Sequence, residues 1–191
     1  MKKNLFMVCA LLVALLTGCS SQSDTDDSKE TLNSDKEYQV IVEETKSDFV
    51  YRLATQASEY SKGKPVKIYA ELEYIGDDDS ITISHAASPF WFPIIEKTRN
   101  FNIDYVMNQP LKKTTLIRGK PIQEEYKGSG AYSDQDPPEY VDFIKNIMLK
   151  KEFPIGDYVV NGFVSFDVEP KANNDTEESV SIKAQVEFIV R

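Results

Sequence analysis

Two cysteines, one histidine and one tryptophan are all that the 191 residues offer to thiol, imidazole and indole chemistry. Both cysteines, Cys9 and Cys19, fall near the start, so the chain beyond Cys19 carries no thiol and no disulfide. Thiolate catalysis, Cys-ligated zinc and redox exchange are thereby excluded from that part. His85 has no second histidine to join it, and a Ser–His pair or metal cluster would rest on one imidazole. On a strand beside Ala86-Ala87 it is expected to be a packed, hydrogen-bonded side chain. Positive charge is also short: 22 Lys and Arg stand against 31 Asp and Glu, net −9. Such a chain repels nucleic acid and anionic lipid, and no basic stripe offsets this, so no nucleic-acid partner is expected. Long apolar runs are missing as well. The uncharged block Leu5–Leu16 is twelve residues, against the roughly 20 that a spanning helix needs.

That block follows Lys2-Lys3 and has the length of a signal-peptide h-region. It ends in Leu16-Thr17-Gly18-Cys19, which resembles the lipobox of bacterial lipoproteins: an aliphatic residue, two small ones, then cysteine. The resemblance implies a diacylglyceryl group on the Cys19 sulfur, cleavage between Gly18 and Cys19, and acylation of the new amino group. One acyl chain anchors marginally, whereas two or more hold stably at about 0.8 kcal/mol per buried methylene. Residues 1–18 contain two cationic residues and no acidic one, so the mature chain would count 20 against 31, net −11. Negative charge beside a negative membrane favours a domain that stands off and is held by its lipid.

Three parts follow: signal peptide 1–18, lipidated tether 19–36 and a folded domain 37–191. From Ser20 to Lys36 the only aliphatic residue is Leu32, among Ser, Asp and Thr. This segment cannot bury enough apolar surface to order itself. Its 17 residues would hold the domain about 20–25 Å from the lipid, at 5–6 Å × √n.

Beyond the tether the apolar period becomes two. Val66, Ile68, Ala70, Leu72 and Tyr74 alternate with mostly polar residues. So do Val180, Ile182, Ala184, Val186, Phe188 and Val190, while Tyr158, Val160, Val164, Phe166 and Val168 share another face. This period marks half-buried strands. Shorter candidates are Tyr38–Glu43, Phe49–Ala54, Ile81–His85, Phe101–Met107 and Thr114–Ile117. Turns are expected at Gly76–Asp79, Asn108–Pro110 and Lys171–Glu178. One segment breaks the pattern: Tyr140, Phe143, Ile144, Ile147 and Met148 recur at helical spacing after Asp136-Pro137-Pro138 and before Lys150-Lys151. The fold class is therefore mainly β: an Ig-like antiparallel sandwich of seven to nine strands with one short inserted helix at 138–149. No repeat of 20–50 residues is present.

In "FPIGDYVVNGFVSFDV" a turn, a glycine, Tyr158 and an alternating strand resemble the tyrosine corner of Ig-like sandwiches. The resemblance implies that the Tyr158 hydroxyl bonds back to an upstream main chain. Over a wider span, "VKIYAELEYIGDDDSITI", "TTLIRGKPIQEEY" and "FPIGDYVVNGFVSF" resemble the domain named for an intracellular proteinase inhibitor of bacilli. The insertion from Tyr126 to Glu152 departs from that compact pattern. The resemblance speaks for the fold and does not carry inhibition with it.

Among possible sites, "SPFWFP" stands out. Phe90, Trp91 and Phe92 are consecutive, so a strand points them to both faces. Pro89 and Pro93 confine the piece to an edge or bulge. Either the helix covers the outward aromatic, or Phe90, Trp91 and Phe92 supply a partner contact. Asp77-Asp78-Asp79 lacks the spaced ligands and distal Glu of a calcium loop, and reads as a solvated turn. Asn174-Asp175-Thr176 is a formal glycosylation sequence that a bacterial lipoprotein gives no reason to use. Carboxylate pairs abound, and spacing selects none of them. The sequence calls for no metal, no cofactor and no catalytic residue. The expectation is a membrane-attached, extracytoplasmic module that binds or scaffolds an envelope protein. The alternatives are an inhibitor or other envelope enzyme modulator acting through Gly128–Pro138, and a solute-binding lipoprotein.

Overall fold

Period-two patterning resolves into two sheets. In chain order the strands are β1 (Val40–Lys46), β2 (Phe49–Thr55), β3 (Glu59–Tyr60), β4 (Ile68–Tyr74), β5 (Ser80–His85) and β6 (Phe90–Trp91). Then come β7 (Ile94–Glu96), β8 (Phe101–Ile103), β9 (Lys112–Ile117), β10 (Ile122–Glu125), β11 (Gly156–Val168) and β12 (Glu178–Val190). The computed structural model describes residues 40–170 and 178–191. Cys19, the expected tether and Asn174 lie outside the described residues.

The smaller sheet runs β1-β2-β4-β10, all antiparallel. The larger has the order β3-β12-β11-β5-β9, with β6 and β7 also on β11 and β8 on β7. The fold is thus mainly β, two sheets and one short helical segment. Twelve strands among the described residues exceed the expected seven to nine, because several short ones form only by pairing. β3 is one of them, and it lies parallel to the end of β12.

Both sheets contribute to a single core. Phe49, Tyr51 and Leu53 from β2 and Ile68, Leu72 and Tyr74 from β4 join one buried cluster with alternate residues of β11 and β12. Gly162 interrupts the large side chains of β11 because Tyr51 and Leu53 occupy the space a side chain would need. A Cβ there would lie 2.6 Å from Tyr51 Oη and 2.8 Å from Leu53 Cδ1. Tyr158 is fully buried, stacks on Phe188 at 4.9 Å, and donates its hydroxyl to the Pro154 carbonyl.

β4 is more buried than its alternation suggests, since the acidic Glu71 is only 4 % exposed. The cross-strand register places Arg52 between Glu43 and Glu71. Its guanidinium reaches Glu43 at 2.6 Å, Glu71 at 2.8 Å and Glu73 at 2.7 Å.

The helical segment occurs where helical spacing replaces period two, but it changes type. An α-helix, α1, spans Pro138–Lys145, and a π-helical turn continues through Asn146–Lys150. Lys151 ends it in a left-handed conformation. Pro138 opens α1 at a position where a missing N–H costs nothing. The strand expected over Phe101–Met107 stops at Ile103, and residues 104–111 leave the sheet.

Candidate interaction site

Pro89 and Pro93 explain how the site is built. Each accepts a ladder hydrogen bond through its carbonyl, from Ser165 N–H and Asn161 N–H respectively, both at 2.9 Å. Neither has an N–H to return, so β11's second edge is divided among the short β7, β6 and β5 in turn. β6 pairs with β11 alone, which makes it an edge.

On β6 the two faces separate the aromatic triplet. Phe90 and Phe92 are buried in the core, while Trp91 is half-buried on the opposite face. Trp91 sits opposite Phe163 in register, and the two rings stack at 5.6 Å, within 3° of parallel. Tyr105 meets Trp91 edge-on at 6.1 Å and Phe92 at 5.4 Å. The helix does not provide these contacts. Its rings Tyr140 and Phe143 pack on Phe101, at 5.2 and 5.3 Å. The expected helical cover over the outward aromatic is thereby corrected: the segment after β8 and strand β11 flank Trp91 instead.

Beneath this pair lies a polar knot. Ser88 Oγ donates to Glu124 at 2.7 Å and accepts the Phe90 N–H at 3.0 Å. The Tyr105 hydroxyl lies near the same carboxylate, and the Ser88 N–H donates to Met107 Sδ at 3.3 Å. Burial, with Glu124 beside it, pushes the Tyr105 hydroxyl up to about 12, so it stays a donor at neutral pH. The knot ties β10, the approach to β6 and the 104–111 segment together, and fixes the platform on which Trp91 rests.

A recess of about 260 Å³ adjoins Trp91, lined among others by His85, Leu111, Ser165 and Asp167. His85 Nδ1 lies 2.8 Å from the Ala86 carbonyl and Nε2 2.8 Å from Thr114 Oγ1. A carbonyl only accepts, so Nδ1 carries the proton, and in the neutral ring Nε2 accepts from Thr114. Both nitrogens are engaged. Leu111 is 77 % exposed at the rim. The recess is mixed in character: Trp91, Leu111 and Pro110 stand among Ser84, His85, Gln109, Ser165 and Asp167, so apolar contact and hydrogen bonds are both on offer to a partner.

The remaining candidates are dispersed. Asp77 and Asp79 are engaged by Arg118, through the Asp77 carbonyl and the Asp79 carboxylate. Among the described residues no group of three or more His, Cys, Asp or Glu could hold a metal ion. Among them, too, no helix is long and apolar enough to cross a membrane. The 128–138 segment is fastened down at Ser129, whose N–H donates to Tyr126 Oη at 2.9 Å and whose Oγ accepts the Val106 N–H at 2.8 Å, and it closes on itself where Ser133 N–H donates to Asp136 at 2.6 Å. Phe163 and Tyr105 were not singled out from sequence. Phe163 carried a signal, being an aromatic on the polar phase of the alternating β11.

No family model matches the chain, and no curated protein or solved structure matches it.

Proposed function

We propose that this protein is a non-catalytic binding module, attached through lipid on Cys19 to the extracytoplasmic face of a bacterial membrane. Its sandwich presents the Trp91–Phe163 face to another protein of the envelope. The observation that carries this reading is the stacked pair itself. Two large, half-buried rings, Trp91 on the edge strand β6 and Phe163 on its neighbour β11, lie on the face of the larger sheet away from the core. Aromatic anchors on a rigid support are the side chains that dominate protein contacts. The acidic body, net −11 once residues 1–18 are removed, fits a domain kept off the lipid surface by its tether.

Inhibition or other modulation of an envelope enzyme through Gly128–Pro138 is a weaker reading, because the hydrogen bonds around Ser129 and Asp136 hold that segment in place. Chemical crosslinking on membranes tests the preferred one. Trp91→Ala is expected to fold with a melting temperature close to the parent's and to lose a crosslinked species that the parent forms. A variant that melts far lower, or one that keeps every crosslinked species, contradicts the proposal.

A further inference from the structure

A second concavity lies between β8 and the segment leading into α1, distinct from the Trp91 face. It is a shallow depression, wide open to solvent, of about 600 Å³. Its apolar surface comes from Phe101, Tyr132 and Tyr140, and its polar rim from Asn100, Asn102 and Asp104 on one side and Ser133 and Asp136 on the other.

The walls are held in place before any ligand arrives. Tyr140 Oη lies 2.9 Å from the Asn102 carbonyl and 3.3 Å from that of Ala131, so one hydroxyl from α1 bridges both sides. Asp136 closes its own loop by accepting from Ser133 N–H at 2.6 Å and Ser133 Oγ at 3.0 Å. Lys145 Nζ sits 5.3 Å from the centre of the Tyr132 ring and supports it by a cation–π contact. Tyr132 nevertheless remains 44 % exposed.

The lining selects a ligand class. No lysine, arginine or histidine lines the cleft, and Asp104 and Asp136 both bear on the Tyr140 hydroxyl, helping burial raise its pKa. An anion would meet the Asp104 and Asp136 carboxylates with no cationic side chain among the lining residues. A cation would use the carboxylates and the amide oxygens but leave the NH2 donors of Asn100 and Asn102 without an acceptor. Amides and carboxylates together supply donors and acceptors in neighbouring positions, which is what vicinal hydroxyls require. Flat rings beside them match the C–H faces of a sugar. We infer that this cleft binds a neutral oligosaccharide, stacked on Tyr132 with its hydroxyls on Asn100, Asn102 and Asp104.

Titration of the ¹⁵N-labelled 37–191 portion within the full mature chain, using cellotriose, chitotriose and maltotriose in turn, tests this. At least one trisaccharide is expected to shift the amides of 100–104 and 131–140 saturably, with little dependence on salt. Tyr132→Ala and Asn102→Ala, whose side chains are exposed, are expected to keep the parent's melting temperature and to weaken binding about tenfold. Trp91→Ala is expected to leave sugar binding unchanged, so failure here and failure of the protein-contact proposal can be told apart. Absence of saturable shifts with all three sugars overturns the inference. So does tighter binding of a tri-lysine peptide that vanishes with added salt, which would assign the cleft to cations.

Discussion

Gly162 and Tyr51 show how closely the two sheets are fitted at one point. Tyr51 is fully buried, and its hydroxyl has no hydrogen-bond partner among the described residues. Burial pushes its pKa up and keeps it protonated, so the core carries an unpaired donor. Tyr51→Phe removes that cost and is expected to stabilise the domain by about 1 kcal/mol. Gly162→Ala places a methyl group against Tyr51 Oη and Leu53, and is expected to destabilise by about 2 kcal/mol. Combined, the two should cost less than their sum, because the closest atom, Tyr51 Oη, is gone. Urea unfolding of the four proteins in a double-mutant cycle measures this coupling. Strict additivity would mean that the two residues do not meet. The alternation of β11 makes its inward residues Tyr158, Val160, Val164 and Phe166 legible. The identity of the opposing tyrosine was not legible, since it depends on how two sheets register.

Short elements follow a different logic from long ones. β4, β11, β12 and the helical segment could be read because each repeats its period over several residues. β3, β7 and β10 span two to four residues and exist because a longer strand offers them a partner. The two aromatics beside Trp91 escaped for related reasons: Tyr105 lies in a segment that leaves the sheet, and Phe163 on the phase of β11 taken as polar. The turn after β7 depends on Glu96. This fully buried carboxylate accepts the Thr98 and Arg99 N–H groups, both at 2.8 Å, and lies 3.3 Å from the Arg99 guanidinium. Gly156 has no side chain because the Glu96 carboxylate fills that space. Burial alone would raise the pKa of Glu96, but the hydrogen bonds from Thr98 and Arg99 outweigh it and hold it below the ordinary value. A depressed carboxylate stabilises the fold above its unfolded pKa and ceases to do so as pH falls through its folded one. Glu96→Gln is therefore expected to cost about 2 kcal/mol at neutral pH. The gap between parent and variant should narrow as pH drops below about 4. Stability curves against pH for the two proteins check this, and a gap independent of pH would remove the charge from the explanation.

At the scale of the molecule, the sandwich is a support that keeps two outward features apart. The Trp91–Phe163 pair lies on an edge of the larger sheet, and the Tyr132 cleft lies between β8 and the start of α1. Composition narrows the chemistry, since thiols are missing beyond Cys19, and the structure adds that His85 has both ring nitrogens engaged. The proposed setting rests on the lipid motif at Leu16–Cys19. Mass spectrometry of the N-terminal peptide, from protein extracted out of the producing cell's membranes, tests that setting most directly. The account predicts a chain that begins at Cys19 and carries the mass of a diacylglyceryl group on its sulfur. An unprocessed chain that begins at Met1, recovered without lipid from the cytosolic fraction, would contradict it.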